Sequence, residues 1–182
     1  KLVQANKIAG YSLPQGQLSL LFREIGRGSP GLISSVGKHT YVDPRLSGGK
    51  LNSKTTEDVI DIISIDGIKY LFYKSQPVES ALIRGSIADQ FGNISMINEP
   101  VKTEFLSMAQ AARSSGGKVY VQVSEVSKNK LTPNNIDLPS HLVDSFVLTT
   151  DLENDHRHTN KYAVHKGLLS NGDYNDEIIS DN

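Results

Sequence analysis

Apolar residues recur with helical spacing at two places in the chain. Leu18, Leu21, Phe22 and Ile25 stand at i, i+3, i+4 and i+7, one stripe of a helix over residues 14–25. Pro14 lies near its start, where a missing N–H costs least, and Gly26 and Gly28 stop it. A second helix is read over residues 101–114, with Val101, Phe105, Met108, Ala109 and Ala112 on one side. Asn98 and Pro100 mark its start and Gly116-Gly117 its end. Strand patterns lie around these helices. Ile8 to Leu13 reads as a strand leading into the first helix, and two β-branched runs between Val59 and Tyr73 flank Asp66-Gly67. An Asp-Gly pair accepts positive φ at both central turn positions, so this is the strongest hairpin signal in the chain. Ala81-Leu82-Ile83 belongs to a further strand. In Lys118 to Val126, Val119, Val121 and Val123 share one face, and Tyr120 and Gln122 the other. Val143 to Leu148 is the last clear strand, while residues 26–58 hold no sustained period and read as a long loop or several short pieces.

Strands alternating with helices predict an α/β fold: a mainly parallel sheet with flanking helices and an added β-hairpin. The strands around 81–84, 118–124 and 143–148 are expected in one sheet, with both helices packed on it and Phe105 a core position. After Thr149 the apolar pattern thins. The reading is one domain over residues 1–150, then a linker or poorly ordered tail over 151–182.

Composition narrows the function classes. With 19 basic against 20 acidic residues, the electrostatic footprint of a nucleic-acid binder is missing. The chain has no cysteine, which excludes disulfide scaffolds, cysteine zinc sites and thiol nucleophiles. No run approaches 18 apolar residues and no basic-then-apolar leader opens the chain, so no membrane association and a cytoplasmic location are expected.

Short motifs give little chemistry by themselves. Gly26-Arg27-Gly28-Ser29-Pro30-Gly31 matches G-x-G-x-x-G, but the dinucleotide motif needs a strand before it and a helix after it. Here a helix comes first and Pro30 sits inside, so a helix stop followed by a turn is the reading. Gly49-Lys50 and Gly117-Lys118 fail as phosphate loops, because Leu51 and Val119 stand where Ser or Thr is needed. His156, His158 and His165 lie near Asp151, Glu153 and Asp155, yet no strand or helix pattern would hold them rigid, and no metal is expected. His39 and His141 are isolated.

Five longer phrases in order resemble a family I coenzyme A transferase, of the propionate/acetate CoA-transferase branch. They are Tyr11-Ser-Leu-Pro-Gln-Gly16, Val36-Gly-Lys-His-Thr-Tyr-Val-Asp-Pro-Arg45, Leu46-Ser-Gly-Gly-Lys-Leu-Asn52, Ala81-Leu-Ile-Arg-Gly-Ser-Ile-Ala-Asp-Gln-Phe-Gly-Asn93 and Ala109-Gln-Ala-Ala-Arg-Ser-Ser-Gly-Gly117. The resemblance covers about residues 7–149 and implies part of the N-terminal, α-type half of such an enzyme. Its chemistry would move CoA between a short-chain acyl-CoA and a carboxylate through a glutamyl-CoA thioester. The nucleophilic glutamate belongs to a Glu-Asn-Gly phrase in a β-type half, and no Glu-Asn-Gly occurs in these 182 residues. The isolated fragment is therefore expected to be inactive, and a homo-oligomer of the whole enzyme is expected.

The resemblance also implies site residues. Gln15 matches the glutamine beside the reacting carbonyl, where a neutral amide donates to developing negative charge. Gly16 follows it, and Gly37, Lys38 and His39 match the Gly-x-Gly-Thr turn near the cleft, with histidine at the second glycine's place. Coenzyme A enters as substrate, with no other cofactor. Asp89, Gly92 and Asn93 match an Ala-Asp-x-x-Gly-Asn phrase and are expected to form a turn held by Asx hydrogen bonds. Arg45 and Lys50 are, by charge, the nearest candidate phosphate ligands. The alternative is a non-enzymatic α/β ligand- or partner-binding domain, since no self-contained catalytic constellation is visible. A sugar-phosphate isomerase-like domain shares the broad fold but not these phrases.

Overall fold

A computed structural model describes residues 1–99 and 101–151. They divide into two compact units, one of residues 1–81 with 106–118, the other of residues 82–105 with Val119 onward. The tail over 152–182 with its three histidines, and Pro100, lie outside the described residues.

In the first unit, α1 (Gln15–Gly26) buries Leu21 and Ile25, two members of the stripe read from the sequence. It closes in a Schellman motif: Gly28 takes a φ of 77°, its N–H donates to the Ile25 carbonyl (2.9 Å), and Ser29 N–H donates to Glu24 (2.9 Å). The G-x-G-x-x-G stretch is thus a helix stop and a turn. It leads into a strand that the sequence did not signal, β1 (Gly31–Ser34). The hairpin forms as expected from β2 (Ile60–Ile65) and β3 (Ile68–Lys74), with Ile65 opposite Ile68 across Asp66 (φ 49°) and Gly67 (φ 78°). β1 pairs antiparallel on the other side of β3, Gly31 opposite Lys74, so the sheet order is β1-β3-β2.

The hairpin is therefore the floor of a core, not an appendage. Leu21 and Ile25 of α1, Val42, Ile60, Leu71, Tyr73 and Ala111 make one buried cluster. Each large apolar side chain removed from water there contributes about 1.5–3 kcal/mol. Leu21, Ile25 and Ala111 thus share a core with the hairpin strands, a packing the sequence reading did not include.

The second helix, α2 (Phe105–Ser114), starts four residues later than the sequence suggested. Its buried positions are Ser107, Ala109, Ala111 and Ala112, whereas Val101 is exposed and Phe105 and Met108 are only half-buried. Phe105 is not a core position. The end of α1 comes close to α2, since a Cβ on Gly26 would stand 3.1 Å from the Gln110 Cβ. A segment expected as a strand, Ile8 to Leu13, makes only a single bridge, Tyr11 to Lys50. Its partner is an irregular stretch, held by Ser12 N–H to Gly49 O (2.8 Å) and Leu51 N–H to Gly10 O (3.0 Å).

The second unit carries a four-stranded sheet. It is built from β4 (Ser80–Asp89), β5 (Ile94–Ser95), β6 (Lys118–Ser127) and β7 (Ser145–Leu148), in the order β5-β4-β6-β7. β6 and β7 are parallel, Tyr120 opposite Ser145 and Val123 opposite Leu148. β4 and β6 run the same way, since Lys118 N–H meets Glu79 O (2.9 Å) and, further along both, the Ser124 hydroxyl meets Ser86 O (2.8 Å). α2 lies between them in the chain, as a parallel connection requires. Short β5 is antiparallel to β4. Val119, Val121 and Val123 are buried, Tyr120 is exposed, and Ile83, Ala88, Ile94 and Leu138 complete the interior. The result is the mixed α/β fold that the alternation predicted. Among the described residues, no helix is long and apolar enough to cross a membrane.

Candidate functional site

The first unit brings two of the sequence phrases together. Leu13-Pro14 turns the chain into α1, with the Pro14 carbonyl accepting the N–H groups of Gln17 (3.0 Å) and Leu18 (3.1 Å). Gln15 and Gly16 form the exposed first turn of that helix. A Cβ on Gly16 would meet no atom within 4 Å, so nothing in the chain itself requires glycine there. Just upstream, Ser12 N–H donates to Gly49 O (2.8 Å), and Gly49 N–H donates to Tyr41 O (2.9 Å). Two hydrogen bonds thus link the Gln15 turn to the turn that carries Gly37, Lys38 and His39.

That second turn is tightly determined. Gly37 has a φ of 95°, and a Cβ there would lie 2.4 Å from Val42 Cγ2 and 2.6 Å from the Tyr73 hydroxyl oxygen. Only glycine fits both the conformation and the space. Tyr73, 1% exposed, donates its hydroxyl to Val36 O (2.8 Å), and burial raises its pKa so that it remains a donor. Thr40 donates its hydroxyl to Gly37 O (2.7 Å). His39 keeps a left-handed backbone, φ 63°, although it carries a side chain. The histidine in the second glycine's place therefore leaves the turn's geometry in the left-handed region and adds an exposed imidazole to it.

Asp43 holds this turn from inside. Its carboxylate is fully buried and accepts His39 N–H (2.8 Å), Arg45 N–H (3.1 Å), Arg45 Nε (2.9 Å) and an Arg45 terminal nitrogen (2.6 Å). The Arg45 side-chain bond, with His39 N–H next, holds the Asp43 carboxyl well below the usual carboxylate range. Sequence reasoning quoted Asp43 only as part of a phrase. The signal for it was Asp43-Pro44-Arg45 itself, an aspartate whose own side chain can accept the N–H two residues on.

The candidate cations are occupied within the chain. Arg45 spends two side-chain donors on Asp43, and Lys50 pairs with Asp58 (2.7 Å) and donates to Thr56 O (3.0 Å). Lys38 reaches to the hairpin, donating to Lys69 O (2.9 Å) with its ammonium 5.8 Å from the Tyr70 ring centre. In the second unit the Asp89 phrase makes a turn anchored by buried Asp89 and Asn93, with Asp89 accepting from Phe91, Asn93 and Leu131. A groove on the open face of the four-stranded sheet, between Leu82, Arg84, Tyr120, Gln122 and Val147, holds none of the sequence-predicted site residues. Among the described residues, no three His, Asp or Glu side chains converge as a metal site would need.

Residues 1–149 match the family model for coenzyme A transferases. The chain belongs to the coenzyme A transferase family. The caffeate CoA-transferase of Acetobacterium woodii is 50% identical over 151 residues, covering 82% of this chain and 29% of that protein. The acetate CoA-transferase YdiF of Escherichia coli K12 is 39% identical over 152 residues, 83% of this chain and 29% of the relative. This CoA-transferase chain thus spans less than a third of those relatives' length. The crystal structure of YdiF from E. coli O157:H7, a thioester complex with CoA, superposes with a TM-score of 0.78 at 38% identity, over 82% of this chain and 30% of that one. The glutaconate CoA-transferase of Acidaminococcus fermentans shares the fold, with a TM-score of 0.64 at 18% identity over 81% and 48% of the two chains.

Proposed function

We propose that this chain is the N-terminal, α-type part of an acyl-CoA:carboxylate CoA-transferase. The whole enzyme would move CoA between a short-chain acyl-CoA and a carboxylate through a glutamyl-CoA thioester, the glutamate lying in a β-type half outside these 182 residues. The observation that carries this reading is the 50% identity to a CoA-transferase over 82% of the chain, spread across both units. The turn geometry supports it. Gln15 opens α1 in the exposed position where a side-chain amide can donate to a reacting carbonyl, and the Gly37–His39 turn is bonded to the same corner. Such a donor acts mainly once charge develops on the carbonyl oxygen. Gln15, Gly16, Gly37, Lys38 and His39 would line the acyl end of the cleft, Lys38 through its backbone since its ammonium is committed to the hairpin. Substrates are an acyl-CoA and a carboxylate; the β-type half and a homo-oligomer complete the enzyme.

The test is a coupled assay on the longer protein that carries this chain, with acetyl-CoA, propionyl-CoA and butyryl-CoA against acetate. Transfer, with borohydride-trappable thioester on a glutamate outside residues 1–182, is expected. Absence of transfer with every acyl-CoA, or a trapped glutamate inside these 182 residues, contradicts the reading.

A further inference from the structure

We propose that Asp43 is a positioning residue of the candidate site: its carboxylate keeps residue 39 left-handed, and its main-chain carbonyl braces the stretch bonded to the start of α1. The inference rests on the CoA-transferase reading for its kinetic arm only.

A residue with a side chain disfavours positive φ, so a left-handed His39 needs an outside restraint. The restraint visible in the structure is the bond from His39 N–H to Asp43 Oδ2 (2.8 Å). Arg45 fixes the orientation of the carboxylate in turn, with Nε on Oδ1 (2.9 Å) and a terminal nitrogen on Oδ2 (2.6 Å). The main chain of the same residue works outward, because Asp43 O accepts Leu46 N–H (2.9 Å) and Gly48 N–H (3.1 Å). Gly49 then accepts Ser12 N–H (2.8 Å), three residues before Gln15. One residue is therefore bonded toward both site phrases. Asp43 itself is fully buried, whereas His39 is exposed, so Asp43 acts through the residues it holds and not by touching substrate.

A positioning role predicts a specific rescue. Asp43→Asn keeps the size but turns one acceptor into a donor facing donors. In the 182-residue chain, NMR should show residue 39 losing its hydrogen-bonded amide shift and its left-handed three-bond coupling. In the longer transferase, kcat should fall on the order of tenfold to a hundredfold, with KM for acyl-CoA changing less. Glycine adopts the left-handed backbone without a clamp. Asp43→Asn combined with His39→Gly should therefore turn over like His39→Gly alone. An unchanged coupling at residue 39, or a double variant as impaired as Asp43→Asn, overturns the inference. If Asp43→Asn unfolds the chain, recovery of folding by His39→Gly supports the role, and continued unfolding makes Asp43 general support and overturns it. A wild-type longer protein without transfer sinks the functional reading alone, and the NMR arm still decides the position of residue 39.

Discussion

Asp43 in the first unit and Asp89 in the second are both fully buried, and each accepts hydrogen bonds that hold a loop, yet their surroundings differ. Asp43 faces a guanidinium, and the groups it organises, His39 and Arg45, reach water. Asp89 has only neutral partners: the N–H groups of Phe91 (2.9 Å), Asn93 (2.9 Å) and Leu131 (3.1 Å), and the Asn93 side-chain amide (3.0 Å). Asn93 passes the network on by accepting Ser140 N–H (3.0 Å). Burial alone would raise the Asp89 pKa, but those hydrogen bonds outweigh it and lower the value. In the first unit a charge pair near solvent shapes an exposed turn. In the second, amide dipoles lock a turn whose ends, Asp89 and Asn93, are buried. Both carboxyls are depressed, so their stabilisation is complete above the unfolded carboxylate range and is lost as pH falls through the folded-state values.

The sharpest break of this comparison is Asp89→Ala. It leaves four donors on two segments, at residues 91–93 and at Leu131, without an acceptor and should cost on the order of 3–5 kcal/mol by urea denaturation. Asp43→Ala should cost clearly less, because water can take over the half-exposed Arg45 guanidinium. Equal losses would mean that the two networks are not different in kind. Next in size is Gly37→Ala, whose methyl would overlap Val42 and the Tyr73 hydroxyl at a φ of 95°. A loss of about 2–3 kcal/mol is expected in thermal melts. Gly16→Ala, with open space around it, should change stability by only a few tenths of a kcal/mol and in the favourable direction. A similar loss at both glycines would remove the case for a rigid 37–43 turn.

The smallest effect concerns a third acid, Glu99, which holds no loop. Its side chain is 8% exposed, its nearest cation is Arg84 at 4.0 Å, and it accepts the Ser86 hydroxyl at 3.3 Å. Burial raises its pKa, and Arg84 and Ser86 only partly offset this. The charged form is therefore the penalised one, and the penalty applies above the raised folded-state value. Glu99→Gln should raise the unfolding midpoint slightly at neutral pH, and the gain should vanish as pH falls and the wild-type carboxyl protonates. A loss of stability at neutral pH would show Glu99 to be a held charge like Asp43.

The regular parts of the fold were legible because their signals are local. The 3.6-residue stripe in α1, Asp66-Gly67 at the hairpin and the alternating valines of β6 each state their own geometry. β1 was not legible: four residues after Pro30, opening with Gly31, carry no period, and pairing with β3 makes the strand. On α2, Ala109 and Ala112 are buried as the apolar pattern indicated, while Val101 is exposed, Phe105 and Met108 are half-buried, and Ser107 and Ala111, off that pattern, are buried. The candidate site residues were read only through resemblance. Arg45 and Lys50 looked like phosphate ligands by charge and Lys38 like a substrate ligand by resemblance, and no spacing rule says that Asp43, Asp58 and Lys69 O engage them first.

Gln15 is the proposed donor beside the reacting carbonyl. Its direct test is the steady-state kinetics of Gln15→Ala in the longer transferase, with folding checked by circular dichroism. A well-folded variant whose kcat drops on the order of a hundredfold, with KM changed far less, is the predicted result. Wild-type turnover by that variant would contradict it and return Gln15 to an ordinary exposed place in the first turn of α1.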